Sequence, residues 1–349
     1  MRFYVTRIRQ VRRRSVGLLI LLNLLQLVPL MAFVQPSWDA PHILGSLPFT
    51  GGPLGVAVNP TTGRIYVVDV VNETVRVVDN MSAMDQPGSA VLTTIPVGRA
   101  PAGIAVNAMR DLIYVSNSGD STVSVIDGQE NVIVATVHVG NTPLGIAVNP
   151  ATDLVYVATS NDDAVTVIDG VSLRVVATLS TGAQPHDIAV NPVNNRVYVA
   201  NFGSNDISVF DGGSGAAVAR IPVGTCPSAV AVNPTTNRVY VSNDLGGSVS
   251  VIDGTTSRVV STVATGSHPW GMSIDAARNR IYVANFGSQT IAVVNGTTNA
   301  IVALVPGLDG PTSVTVDEQS HRVYVTNRNG GNLSILSANR THPLYQSGA

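Results

Sequence analysis

The chain has 349 residues, 45% hydrophobic and 12% charged, with one cysteine and a formal net charge of −2. Its composition is even from end to end with no linker-like stretch, so one large unit is expected rather than two or three domains. All 20 basic residues are Arg; beyond residue 34 only 14 of them face 22 acidic residues, a net charge of about −8 that argues against nucleic-acid binding, and the lone Cys226 excludes an internal disulfide.

The first predicted element is apolar. Residues 16–34, VGLLILLNLLQLVPLMAFV, follow directly on Arg2, Arg7, Arg9, Arg12, Arg13 and Arg14. A basic segment followed by an apolar one is the pattern of an export signal, and this run is also near the length that spans a bilayer. Leu30-Met31-Ala32 offers only one small residue where cleavage wants two, which favours a retained anchor. Residues 1–34 are thus read as a signal peptide or signal anchor forming one N-terminal hydrophobic helix. The Arg cluster stays cytoplasmic and everything after Pro36 is exported, to the periplasm or the cell surface. Residues 35–42 are read as a linker.

A repeat occupies residues 43–340. Tyrosines at 66, 114, 156, 198, 240, 282 and 324 are spaced by 48 and then by 42, and prolines at 53, 101, 143, 185, 227, 269 and 311 repeat the same gaps. Two markers agree on seven units, with six extra residues assigned to the loop NMSAMDQPGSA of the first. The fifth copy splits into SAVAV, RVYVS, SVSVI and RVVSTV, divided by NPTTN, NDLGG and DGTT. Valine and isoleucine dominate these runs, the dividers are turn compositions, and apolar residues on both faces imply sheets covered on both sides. Four short antiparallel strands per unit of about 42 residues is the signature of a β-propeller blade.

The seventh copy lacks a fourth strand. ILGSLPFTGGP, residues 43–53, aligns with the fourth strand of the second copy, so the expected fold is an all-β seven-bladed propeller closed by an N-terminal strand that completes the last blade. Burial of Ile43, Leu44, Leu47 and Phe49 is expected to supply roughly 6–12 kcal/mol before ordering entropy. The middle residues of the first strands, Ala57, Ala105, Ala147, Ala189, Ala231, Ser273 and Thr315, are small, as converging strands near an axis require. Residues 341–349 are a C-terminal tail.

YVTN at 324–327, YVSN at 114 and 240 and YVAN at 198 and 282 make the chain resemble the YVTN-type β-propeller repeat of bacterial and archaeal exported or surface proteins. Blades 1 and 3 depart from it with YVVD and YVAT. The resemblance implies a propeller of surface-layer type; the same fold is also used by lactonases, lyases and redox enzymes, so it does not carry an activity.

The repeated residues read as building parts. Each Tyr packs among valines mid-strand, Asn59, Asn107, Asn149, Asn191 and Asn233 suit local turns, and Asp127-Gly128 and its equivalents read as hairpin turns. Function is expected where copies differ on one face. Around the repeated Pro, blades 4, 5 and 6 carry His186, Asp187, Cys226, His268 and Trp270, and the matching loops add Phe202 and Phe286. These seven are the candidate ligand- or partner-binding residues at the channel mouth. Two His and one Cys are metal-ligand types, but no close-spaced pair exists, so no metal residue is assigned and no cofactor is named. The functional reading is an extracytoplasmic binding or scaffolding module that takes a protein or small ligand at its mouth. It reaches the membrane through its N-terminal helix if that segment stays uncleaved. The alternative is an extracytoplasmic enzyme of lactonase, lyase or redox-accessory type using the same cluster.

Overall fold

The computed structural model describes residues 41–80 and 90–338. The apolar segment 16–34, the bulk of the first-blade loop and the tail 341–349 lie outside the described residues. Within them, no helix is long and apolar enough to cross a membrane.

The described strands form seven four-stranded antiparallel sheets. Their innermost strands, Pro53–Val58, Pro101–Asn107, Pro143–Asn149, Pro185–Asn191, Pro227–Asn233, Pro269–Asp275 and Pro311–Asp317, number the blades 1 to 7. Each innermost strand touches those of the two adjacent blades, blade 7 meeting blade 1, so the sheets form a ring around a central channel. The all-β seven-bladed reading of the sequence holds.

The core is a set of layers between blades. Tyr66, Val68, Val75 and Val77 of blade 1, for example, pack on Ile113, Val115 and Ile126 of blade 2. Second strands are buried on both faces, and this is why they lack polar alternation. Fourth strands are not: Val132, Ile133 and Val134 are exposed, because blades diverge outward and leave the outermost strand partly uncovered.

His42–Pro48 pairs with Asn332–Ser337 as the outer strand of blade 7, Leu47 opposite Leu333. The expected burial of four apolar residues there is corrected to two. Leu47 and Phe49 are 1% and 6% exposed, but Ile43 and Leu44 are 37% and 36% exposed, as on the other outer strands. The apolar contribution falls to about 3–6 kcal/mol.

The Asp-Gly pairs open the hairpin turns between third and fourth strands, as between Thr122–Asp127 and Val132–His138. Asp127 accepts hydrogen bonds from the Gln129 and Glu130 N–H, and the turn spans four residues with Asn131 left-handed at φ 57°. Gly128 is needed for space, since a Cβ there would lie 2.2 Å from Asp111 Oδ1.

The repeated asparagines extend beyond their own turns. Asn59, Asn107, Asn149, Asn191 and Asn233 each accept a backbone N–H two residues on. Each also donates from its side-chain amide to the next blade, to Asp111, Asp153, Asn195, Asn237 and Asn279, at 2.6–2.9 Å. All five acceptors are left-handed, with φ between 50° and 56°, a conformation that Asn and Asp tolerate well. Replacing Asn149 by Ala leaves the Ala151 N–H and Asn195 Oδ1 without their partner. A loss of about 2–3 kcal/mol is expected, read as a lowered melting temperature.

Candidate functional site at the channel mouth

Each first strand opens with an irregularity. Its pairing with the second strand shifts register directly after the repeated Pro, in all seven blades. Such a shift re-aims side chains. The residue before the Pro is left-handed at Ala100, Thr142, Gln184, Cys226, His268 and Gly310. The two residues after the Pro line the mouth.

Crowding is greatest at the second of these. A Cβ on Gly55, Gly103, Gly145 or Gly271 would lie 2.3–2.6 Å from backbone of the next blade. The closest approach is therefore two residues before the small residues flagged in the sequence; of those, Ala105, Ala147 and Ala189 pack against the inter-blade layers. At the crowded register blade 4 carries Asp187.

Together these residues enclose a cavity of about 350 Å³. Its lining is two-sided. Blades 1, 2 and 3 contribute only Leu54-Gly55-Val56, Ala102-Gly103-Ile104 and Leu144-Gly145-Ile146. Blades 4 to 7 contribute His186-Asp187, Ser228-Ala229, Trp270-Gly271 and Thr312-Ser313, with Arg328 from the loop that follows YVTN.

His186 Nδ1–H donates to the Ser228 carbonyl at 2.7 Å. The bond ties blade 4 to blade 5. In blades 2, 5 and 7 a hydroxyl of the YVSN or YVTN motif makes the inter-blade link: Ser116 to the Leu144 carbonyl, Ser242 to that of Trp270 and Thr326 to that of Leu54. Blades 3, 4 and 6 have Ala158, Ala200 and Ala284 there, and in blade 4 the His186 bond supplies such a link. Asp187 Oδ2 accepts the Val230 N–H at 3.0 Å. Burial pushes the Asp187 carboxyl upward, against the opposing pull of the Val230 and Ile188 N–H bonds.

The seven sequence candidates divide into three groups. His186, Asp187 and Trp270 line the cavity. Phe202 and Phe286 support them, the first tilted beside His186 at 5.7 Å between ring centroids and the second stacked on Trp270 at 4.9 Å. Cys226 and His268 are outside the lining. The His268 ring bonds Asp244 at 2.9 Å, and the Asp244 N–H donates to the Cys226 carbonyl, a rim contact across blades 5 and 6.

The acids at the turns between second and third strands are tied locally: Asp120 by Arg99, Asp162 by Asn141, Asp163 by the Gln184 N–H and Asp206 by Arg220. No group of three or more His, Cys, Asp or Glu stands ready to hold a metal among the described residues. Sequence reasoning missed Arg328, Ser228 and Thr312. Arg328 occupies the position equivalent to Phe202 and Phe286, so comparing the residue after YVxN across blades for charge as well as for aromaticity would have found it.

Comparison with known proteins agrees with this architecture. A family model for the NHL repeat matches residues 183–210, within blade 4. No curated protein sequence matches the chain. Among solved structures the chain is similar to one titled Kuenenia stuttgartiensis Hydrazine Synthase, with a TM-score of 0.72 and 20% identity, over 81% of this chain and 95% of that one. At that identity the likeness shows the fold alone. The chain is a propeller repeat protein.

Proposed function

We propose that this protein is an extracytoplasmic binding module, carried to the outer side of the membrane by residues 1–34, with its ring closed by the His42–Pro48 strand and its ligand or partner held at the channel mouth. The observation that supports the reading is the asymmetric lining of the cavity. Seven equivalent strand starts would give seven equivalent walls if the mouth were only structural. Instead, aromatic and ionisable side chains gather in blades 4, 6 and 7, while blades 1 to 3 are smooth and apolar. An apolar cavity with a few convergent polar groups, at the small end of the range of about 300–1,000 Å³, is the usual form of a ligand site. Trp270 stacked on Phe286 supplies the rigid aromatic surface that recognition sites favour.

The test uses the full chain as bait in envelope extract, beside the His186, Cys226, His268, Trp270 quadruple Ala variant. Thermal melting confirms that the variant folds. Partners or ligands held by the parent and lost from the folded variant are the expected result; identical sets from both would remove the mouth from consideration. Fractionation of cells expressing the full chain tests location, and recovery in the cytosolic fraction would overturn the extracytoplasmic reading.

A further inference from the structure

We propose that the channel-mouth cavity binds a small organic monocarboxylate, the anionic end held by the Arg328 guanidinium and the apolar body lying against Trp270 and the leucines of blades 1 and 3. This rests on the mouth being a ligand site, and it names the chemistry of the guest.

Arg328 differs from arginines of other blades that have acidic partners. Arg99 and Arg220 are paired with Asp120 and Asp206 at 2.5 Å and 2.7 Å. Arg76 lies beside Asp69 and over the Phe49 ring. The Arg328 side chain is exposed, lines the cavity, and has no ion pair or side-chain hydrogen bond within the described residues. Its backbone is fixed, since its N–H donates to the Gly310 carbonyl at 2.9 Å. The aromatic stack stands next to that anchor: a Cβ on Gly310 would lie 3.1 Å from Phe286 Cε2. A guanidinium thus sits in a ring position between the blade 6 aromatics and Leu54 of blade 1.

The other charged groups of the lining are already committed. Asp187 is engaged with the Val230 N–H and lies on blade 4, as far from blade 7 as a seven-membered ring allows. His186 gives its Nδ1–H to the Ser228 carbonyl. One unpaired cation beside an apolar wall matches one negative charge on an apolar body. A phosphate dianion would bring a second charge with no second cation in the lining to meet it, and an amine would place like charges together. A planar guanidinium suits a carboxylate, which it can hold through two parallel N–H···O bonds.

The experiment uses the full chain carrying Trp38→Phe, so that Trp270 is the sole fluorophore of its kind. Two matched probe series are titrated: hexanoate, hexanamide and hexylamine; and indole-3-acetate, indole-3-acetamide and tryptamine. Binding is read by Trp270 fluorescence for the first series and by calorimetry for both. The acids are expected to bind more tightly than their amides and amines. Arg328→Gln is expected to weaken the acids by about tenfold or more while leaving the amides unchanged, with Arg328→Lys restoring part of the loss. The melting temperature of both variants should match the parent, because Arg328 supports no other side chain. Equal binding of acid, amide and amine, or acid binding indifferent to Arg328→Gln, would overturn the proposal. If all three probe types then still depend on Trp270, the mouth stands as a ligand site and only the anion assignment falls. Failure of every probe overturns the monocarboxylate assignment and leaves the mouth to be judged by the bait experiment.

Discussion

Deleting residues 43–50 is expected to destabilise the ring strongly and to make it aggregate. The segment contributes two buried side chains, Leu47 and Phe49, worth about 3–6 kcal/mol against a total stability of about 5–15 kcal/mol for a typical fold. Phe49 joins both neighbours: its N–H donates to the Gly331 carbonyl at 2.7 Å, and its ring lies 4.7 Å beneath the Arg76 guanidinium of blade 1. Its loss also frees the edge of Asn332–Ser337, a row of unpaired N–H and C=O groups of the kind that recruits other chains. Thermal melting and light scattering measure the two effects. The Leu47→Ser, Phe49→Ser double variant, which keeps the backbone, should fall between parent and deletion. A deletion variant that melts with the parent and stays monodisperse would contradict the proposed closure.

Raising the pH is expected to unfold the protein cooperatively between about 10 and 12. All seven repeat tyrosines have their phenol pushed up by burial, those of Tyr66, Tyr114, Tyr156 and Tyr324 to about 12. The unfolded chain releases these protons near the ordinary value of about 10. Between the two values the unfolded state binds fewer protons, so stability is complete below pH 10 and is lost as the pH rises through 12. At about 1 kcal/mol per tyrosine per pH unit, the four raised to about 12 remove about 8 kcal/mol between pH 10 and 12, enough to exhaust the margin of an ordinary fold. Tyrosinate absorbance and circular dichroism should change together in one steep transition. Gradual titration of all the tyrosines near pH 10 with the fold intact would show that burial does not control them.

The fold was legible because its defining markers repeat. Tyrosines and prolines at one spacing identify the blade, and the valine runs between turn residues identify its strands. The asparagine clasp was only half legible. Its local bond joins residues two apart and follows from residue type, whereas its second bond joins residues 46 apart, a separation that acquires meaning only once the blades stand side by side. Ile43 and Leu44 misled because strand composition does not reveal which layer of a blade is uncovered.

The cavity lining was legible where copies diverge beside the Pro, at His186, Asp187 and Trp270. Cys226 and His268 are equally unusual in sequence, but the left-handed position before the Pro places them outside the lining. Arg328 was not legible by type, since arginines are spread along the whole chain. What distinguishes it is that it lines the cavity while Arg99 and Arg220 are paired with acids outside the lining, and that depends on where the residues fall in space.

A frame with seven near-identical sectors would ordinarily offer a guest seven equivalent seats. The uneven wall of this channel removes that degeneracy: with grease on one arc and polar groups on the other, a two-ended molecule has one way to sit. Saturation at one equivalent per chain, in a single orientation, is the expected result if the proposed ligand site holds a guest.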